Sequence, residues 1–201
     1  MIKNRIFIIV SIFLCCLMAA FFIYQKYGKY LPTSSNEISF PHALAQEEIQ
    51  KIRKKSPISS IQVYKSQRFL LLKHNNETIR KYPIRLGFTP IGHKVQEGDG
   101  KTPEGHYIID WRNPKSAFYK SLHISYPNQK DKTVAQKLGV SPGGDIMIHG
   151  SATKKQVKVL PNLMHYFPKS DWTWGCIAVR NVDMDEIWLL VDNGTVIEIY
   201  P

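Results

Sequence analysis

The chain is poor in cysteine: three in 201 residues, and two of them, Cys15 and Cys16, fall inside an apolar stretch near the N-terminus. Beyond that stretch a single thiol remains, Cys176, so no intrachain disulfide can form there and no C-x-x-C redox or zinc motif exists. The other histidines of interest, His106, His123 and His165, lack metal-ligand spacing as well. Also missing are a G-x-G-x-x-G turn and a phosphate-cradling P-loop, which argues against nucleotide chemistry. There is no internal repeat and no low-complexity tract. Acidic residues are the scarce charge, 16 against 27 basic, leaving +11. The excess is spread along the chain, from Lys51–Lys55 through Lys65, Arg80 and Lys81 to Lys154, Lys155 and Lys158, rather than gathered into one stripe. That distribution suits a solvated basic surface or an anionic envelope polymer, and no nucleic-acid partner is expected.

Ile6 to Tyr24 carries no charge, is long enough to cross a bilayer of roughly 30 Å, and follows Lys3 and Arg5. It reads as a single-pass signal anchor, with the rest of the chain exported into a cell envelope. A cleaved signal peptide is the alternative, since Ala19 and Ala20 are small, but the A-x-A spacing is absent and the apolar run continues through Phe21, Phe22 and Ile23. An exported free cysteine risks oxidation or mispairing, so Cys176 is expected to be kept for its chemistry.

Three regions follow: the anchor over 1–27, a linker with a short helix over 28–56, and one domain over 57–201. Ala43 to Lys55 reads as an amphipathic helix, with Glu47 and Glu48 early and Lys54 and Lys55 late, ended by Pro57. Strands are expected at Ile61–Tyr64, Arg68–Lys73 and Thr78–Leu86, with Asn75-Asn76 as a turn and Pro83 marking an edge or bulge. Phe88 to Gly105 has no apolar period and reads as a long functional loop. Further strands are expected at His106–Trp111, Leu122–Tyr126, Asp145–His149 and Thr195–Tyr200. Helices are expected at Thr133–Leu138 and Met184–Val191, the second capped by Asp183 with Glu186 completing a capping box. Little helix and no β-α-β alternation predict a mainly β (α+β) domain, an antiparallel or mixed β-sandwich with a few short helices.

Cysteine is a nucleophile as thiolate, and with an ordinary pKa near 8.5 it needs an imidazole or aligned N–H groups nearby. His149 ends the apolar run Ile146-Met147-Ile148 and precedes Gly150. Thr173-Trp174-Gly175-Cys176 is a turn into Ile177-Ala178-Val179, and its glycine would let successive amides point at one oxygen. These residues, with Asn181 five positions past the cysteine, the segment Glu97-Gly98-Asp99-Gly100-Lys101-Thr102-Pro103-Glu104-Gly105, Ser125-Tyr126-Pro127-Asn128 and Pro142-Gly143-Gly144, resemble the L,D-transpeptidases with a YkuD-type catalytic domain. The resemblance runs from about Ile58 to Pro201.

The resemblance implies the L,D-transpeptidase fold, Cys176 as nucleophile and His149 as base. It also implies an oxyanion hole of the Trp174, Gly175 and Cys176 amides, with Gly150, Thr173 and Asn181 in support. The implied substrates are peptidoglycan stem peptides: Cys176 attacks the third residue's carbonyl, D-alanine leaves, and an amine resolves the thioester, with no metal or organic cofactor. Resolution by water would make an L,D-carboxypeptidase; an amidase joining or freeing proteins at peptidoglycan, or a non-catalytic peptidoglycan-binding module, are the other readings. Three departures stand out. Trp174 replaces the usual histidine, Ala178 replaces an arginine for which Arg180 could substitute, and the loop Ser151 to Trp172 is long. Arg180, Trp172 and Tyr126 are the expected substrate contacts, while Asp99 and Glu104 are expected to brace their loop.

Overall fold

The structure, a computed structural model, describes residues 2–34 and 37–201, with side chains from residue 10 onward apart from residue 11. The sheet is built from short strands whose alternate residues are apolar, so each buries one face: β1 (Ser60–Tyr64), β2 (Phe69–His74), β3 (Glu77–Pro83), β4 (Gly105–Asn113), β5 (Ser121–Ile124), β6 (Met147–Gly150), β7 (Ile177–Val179) and β8 (Val196–Tyr200). They join in one sheet in the order β3-β2-β1-β8-β4-β5-β6-β7. Pairing is antiparallel except for β1 with β8 and β6 with β7. Ile61 and Val63, Leu70 and Leu72, and Ile197 and Ile199 carry the period-two pattern into the core.

The expected sandwich is instead a single sheet curled onto itself. Past β3 the chain runs on to meet the opposite edge: Arg85 N–H donates to Ala178 O at 2.8 Å, Ala178 N–H returns to Arg85 O at 2.8 Å, and Thr173 N–H donates to Leu86 O at 3.1 Å. Closure satisfies the backbone groups that an open edge would leave unpaired. It also explains why Ile177, Ala178 and Val179 are all fully buried. A three-residue strand is too short for its apolar run to be told from a loop by period alone.

The helices differ in detail from expectation. α1 spans Ile2–Tyr27 and α2 Gln46–Lys55. α3 begins at Gln129, earlier than Thr133, because Asn128 Oδ1 accepts from the Lys130 and Asp131 amides as an N-cap. α4 (Lys154–Val159) and a 3₁₀ turn (Pro161–His165) give structure to the long loop after His149. α5 spans Asn181–Leu190, so Asp183 lies in its first turn and is no N-cap. Its carboxylate accepts from Arg180 at 2.7 and 2.6 Å. Glu186 makes no capping box either: it accepts from Leu44 N–H at 2.8 Å, Arg80 at 2.8 Å and the Tyr82 hydroxyl at 2.9 Å, tying the chain before α2 and strand β3 to α5.

The segment after α1, expected as linker, is docked from its start. A 3₁₀ turn at Gly28–Tyr30 leads into an extended stretch along residues 166–170. Thr33 N–H donates to Phe167 O at 2.9 Å, Lys169 N–H to Leu31 O at 2.7 Å, and the Tyr166 hydroxyl to Tyr30 O at 2.6 Å. The expected anchor, Ile6–Tyr24, is helical, but part of it lies outside the residues whose side chains are described. Among the described residues no helix is long and apolar enough to cross a membrane.

Glu186 is 5% exposed and holds a buried guanidinium and a buried phenol. Glu186→Ala leaves the Tyr82 hydroxyl unpaired in the core and the Arg80 guanidinium with His42 O in place of a counter-charge, and breaking such a buried pair costs about 3–5 kcal/mol. The expected outcome is a lower urea midpoint with an unchanged slope, with Glu186→Gln recovering part of the loss.

Candidate active site

Parallel pairing places Ile148 beside Ile177 and His149 beside Ala178. One step back, Met147 lies opposite Cys176, and Met147 N–H reaches Cys176 Sγ at 3.4 Å. Side chains alternate along a strand, so His149 and Cys176 project from the same face, one diagonal apart. Both line the same hollow.

His149 Nδ1 lies 2.7 Å from Gly150 O. A carbonyl only accepts, so Nδ1 carries the proton and Nε2 keeps the lone pair, the tautomer a base needs. Phe118 stacks on the ring with centroids 5.0 Å apart, and Trp172 meets it edge-on at 5.7 Å. Burial lowers the imidazole pKa to about 4 against the opposing pull of Gly150 O. The same cause pushes the Cys176 thiol up, with the Met147 amide pulling the other way and Asp145 adding to the rise. The thiol points toward Asp145 O at 3.6 Å, and among the described residues no hydrogen bond joins it to His149. Burial thus favours the neutral form of each group, a thiol beside an imidazole.

Gly150 has a packing reason. A Cβ there would strike Asn181 Oδ1, which accepts from Ala152 N–H at 3.1 Å while Nδ2 donates to Ala152 O at 3.1 Å. Asn181, wholly buried, clamps the chain just past His149. Thr173 does the same for the cysteine turn: its Oγ1 donates to Cys176 O at 2.7 Å and accepts from Gly175 N–H at 3.2 Å. The Gly175 amide, expected in the oxyanion hole, is therefore engaged by Thr173 Oγ1. Gly175 has φ 127°, and a Cβ on it would meet Lys101 O at 2.5 Å. The loop after β3 presses on the catalytic turn at that point. Gly87, unremarked in the sequence, allows the same approach, since its Cβ would strike Gly100 O and sit 3.0 Å from Gly175 Cα.

Two hollows meet at Cys176 and Trp174. One, about 390 Å³, is polar, with Lys94, Glu97, Gly143 and Asp145 in its walls. The other, about 370 Å³, contains His149 and the rings of Tyr30, Phe118, Trp172 and Trp174. A larger hollow of about 540 Å³ beside Phe40, Phe69 and Lys81 touches neither Cys176 nor His149. Trp172 thus lies where a substrate contact was expected. Arg180 and Tyr126 do not. Arg180 is spent on Asp183, Pro41 O and the Phe40 ring. Tyr126 is 2% exposed and donates to Pro142 O at 3.0 Å, bracing the wall behind the polar hollow. Asp99 braces its own loop, accepting from the Val95, Gln96 and Lys101 amides and from Lys94, and Glu104 pairs with buried Lys65 at 2.7 Å. Phe118 and Tyr30 were missed because an aromatic in a polar loop gives no periodic signal.

Two outcomes follow from the neutral pair. Iodoacetamide should label Cys176 more slowly at pH 7 than it labels free cysteine, with a rate still climbing at pH values where free cysteine has levelled off. A plateau already present at pH 7 would contradict the raised thiol. For His149, the unfolded chain takes up a proton near pH 6.5 and the folded one only near 4. This contribution to stability is complete above pH 6.5 and is lost as pH falls toward 4. Between pH 7 and 4.5 the wild type should lose about 2–3 kcal/mol more unfolding free energy than His149→Gln, read from urea curves.

Residues 59–199 match the YkuD family, the L,D-transpeptidase catalytic domain. The chain is 27% identical over 155 residues to YafK of Escherichia coli (strain K12), which bears a provisional L,D-transpeptidase name; the match covers 70% of this chain and 53% of YafK. The chain thus spans about half the length of the curated relatives it matches. Among solved structures, the helical cell shape determining protein Pgp2 from Campylobacter jejuni superposes with a TM-score of 0.52 at 22% identity, covering 75% of this chain and 53% of Pgp2. Its K307A mutant gives 0.54, covering 75% and 52%. At that identity the likeness is one of fold. On the match over 59–199, which takes in both His149 and Cys176, the chain belongs to the YkuD family of L,D-transpeptidase catalytic domains.

Proposed function

We propose that this protein is a cysteine acyltransferase that remodels peptidoglycan stem peptides, with Cys176 as nucleophile and His149 as base. The observation that carries the reading is the open Nε2 of His149, its tautomer fixed by Gly150 O, on the same strand-pair face as the only thiol of the domain. As the thiol sulfur attacks the carbonyl of the third stem residue, its proton passes to Nε2. The C–S bond forms and the negative oxygen takes hydrogen bonds from the Trp174 and Cys176 amides. On collapse the C–N bond breaks, and the imidazolium proton goes to the departing nitrogen of D-alanine. An amine then attacks the thioester and gives its proton to His149, and the sulfur leaves to recover that proton. Water in place of the amine makes the same machinery an L,D-carboxypeptidase.

A neutral resting pair suits this sequence, because charge appears only when the acyl carbonyl is in place to receive it. The location proposed with it is the outer side of a bacterial inner membrane, with Ile6–Tyr24 as a single-pass anchor. Carbonate washing that leaves the protein in the membrane fraction supports this, whereas a soluble form beginning near Phe21 contradicts it.

The test is mass spectrometry of stem tetrapeptide incubated with the full-length protein. Cross-linked dimer supports transfer, tripeptide supports the carboxypeptidase branch, and in both cases an acyl adduct should be trapped on Cys176. Cys176→Ala should lose all turnover and the adduct, and His149→Ala should slow turnover by about 10²–10⁴-fold. Unchanged tetrapeptide with folded wild-type protein, or turnover that survives in Cys176→Ala, would overturn the proposal.

A further inference from the structure

The insertion between His149 and Trp172 carries a surface that acyl transfer does not use. From Ser151 to Ser170 there are four lysines and no aspartate or glutamate, and no acidic residue precedes Glu37. α4 ends in two aliphatic side chains turned to solvent, Val159 at 72% exposure and Leu160, its C-cap, at 59%. Lys155 and Lys158 stand one turn apart beside them, and neither has an ion pair or hydrogen bond among the described residues. Lys154 differs, donating to Pro114 O. Bare aliphatics flanked by lysines have the chemistry of an interfacial segment, with apolar groups among acyl chains and ammonium groups on phosphates.

Position decides what covers this face. α4 and the end of α1 share a hollow of about 440 Å³, with Thr153 and Gln156 on one side, Tyr27 on the other, and Leu163 and Tyr166 in its wall. Val159 and Leu160 follow Gln156 by three and four residues, so they extend the same side of the helix. On α1 the large apolar side chains from Ile12 to Tyr24 are all more than half exposed, so the domain covers none of them. With α1 as the anchor proposed above, a reading on which this inference rests, Tyr27 lies about 4.5 Å past the apolar span that ends at Tyr24. The headgroup layer adds about 5–7 Å to each side of the hydrocarbon. Tyr27 thus falls within it, and whatever shares its hollow lies against it. Lys26 and Lys29, over the Tyr27 and Tyr30 rings at 5.4 and 5.0 Å, add charge of the same sign there.

We infer that α4 and the turn after it form a docking surface for an anionic lipid bilayer, with Lys155 and Lys158 on lipid phosphates and Val159 and Leu160 among the upper acyl groups. A soluble anionic polymer would meet the lysines and leave both aliphatics bare. The docked segment links His149 to Trp172, which places the bilayer contact on the chain that shapes the aromatic hollow.

The experiment incorporates the full-length protein, by detergent removal, into vesicles of phosphatidylcholine with or without phosphatidylglycerol. Each carries a trace of phospholipid with a diazirine high on its acyl chain, and labelling is read by peptide mass. With phosphatidylglycerol the peptide containing residues 155–163 should take the label, and without it the label should fall sharply. Lys155→Gln with Lys158→Gln should lower it by about fivefold or more, since each lysine near an anionic surface contributes about that factor. Val159→Ser with Leu160→Ser should lower it as far, whereas Lys155→Arg with Lys158→Arg should keep it. Should a variant fail to fold, raising salt from about 0.1 to about 1 M on the wild type must remove the label from 155–163 and spare that on α1. Label on α1 with none on 155–163, or label there that ignores phosphatidylglycerol and both losses of side chain, overturns the inference and leaves the anchor standing. Label on 155–163 with none on α1 keeps the docking surface and removes the anchor, and absence of both removes both.

Discussion

The parallel pairing of β6 with β7 is the constraint on which the site rests. It alone converts two residues distant in sequence into neighbours on one face. β7 has only three residues and could not hold register by itself. It is held because Arg85 closes on its other side with two hydrogen bonds to Ala178, so the strand is paired along both edges. The pairing that closes the sheet is also the pairing that brings His149 and Cys176 together. The glycines follow from it: Gly87 and Gly175 stand where stretches of backbone pass closer than a side chain permits, and a Cβ on Gly100 would strike the Phe88 ring. Gly150, on β6, leaves room in the same way for the Asn181 side chain at the start of α5.

Electrostatics at the site is set by burial more than by any partner. No carboxylate is among the influences on His149, whose Nδ1 is met by a carbonyl, so nothing with full negative charge stabilises an imidazolium at rest. Phe118 and Trp172 pack the ring on two sides and remove the water that would otherwise do so. The packing also has a cost: Trp172 Nε1 is buried without a partner among the described residues, and an unmet donor of this kind costs about 1–3 kcal/mol. Imperfect satisfaction beside the nucleophile is the kind of local strain that sites retain when position matters more than stability.

Much of this was legible in the sequence, and the residues say why. Cys176 stood out by exclusion, as the only thiol past the apolar stretch, and His149 by its place at the end of an apolar run before glycine. Strands with a clean period-two pattern, such as Ile61–Tyr64 and Thr195–Tyr200, fell within a residue of their positions. What the sequence hid was tertiary. Arg180 looked available because charge is visible in a sequence and Asp183 pairing is not. Asp183 and Glu186 fit a capping pattern, yet side-chain partners, the neighbouring Arg180 on one and the distant Arg80 with Tyr82 on the other, outweigh the bond a cap would make. The curled sheet was read as a sandwich because alternation reports that a strand has one buried face and not what faces it.

The docked stretch after α1 also sets how far the site can travel. Were residues 28–56 a free tether, the flexible-chain estimate of about 5–6 Å times the square root of the residue number would let the domain wander about 30 Å from the end of the helix. Instead Lys29, Leu31 and Thr33 are bonded to residues 167–170 almost as soon as the helix ends. The helix and the cleft form a short bracket with no slack. With α1 as the proposed anchor, Cys176 would stand at a fixed distance from the bilayer, and whatever reacts with it would have to come to it.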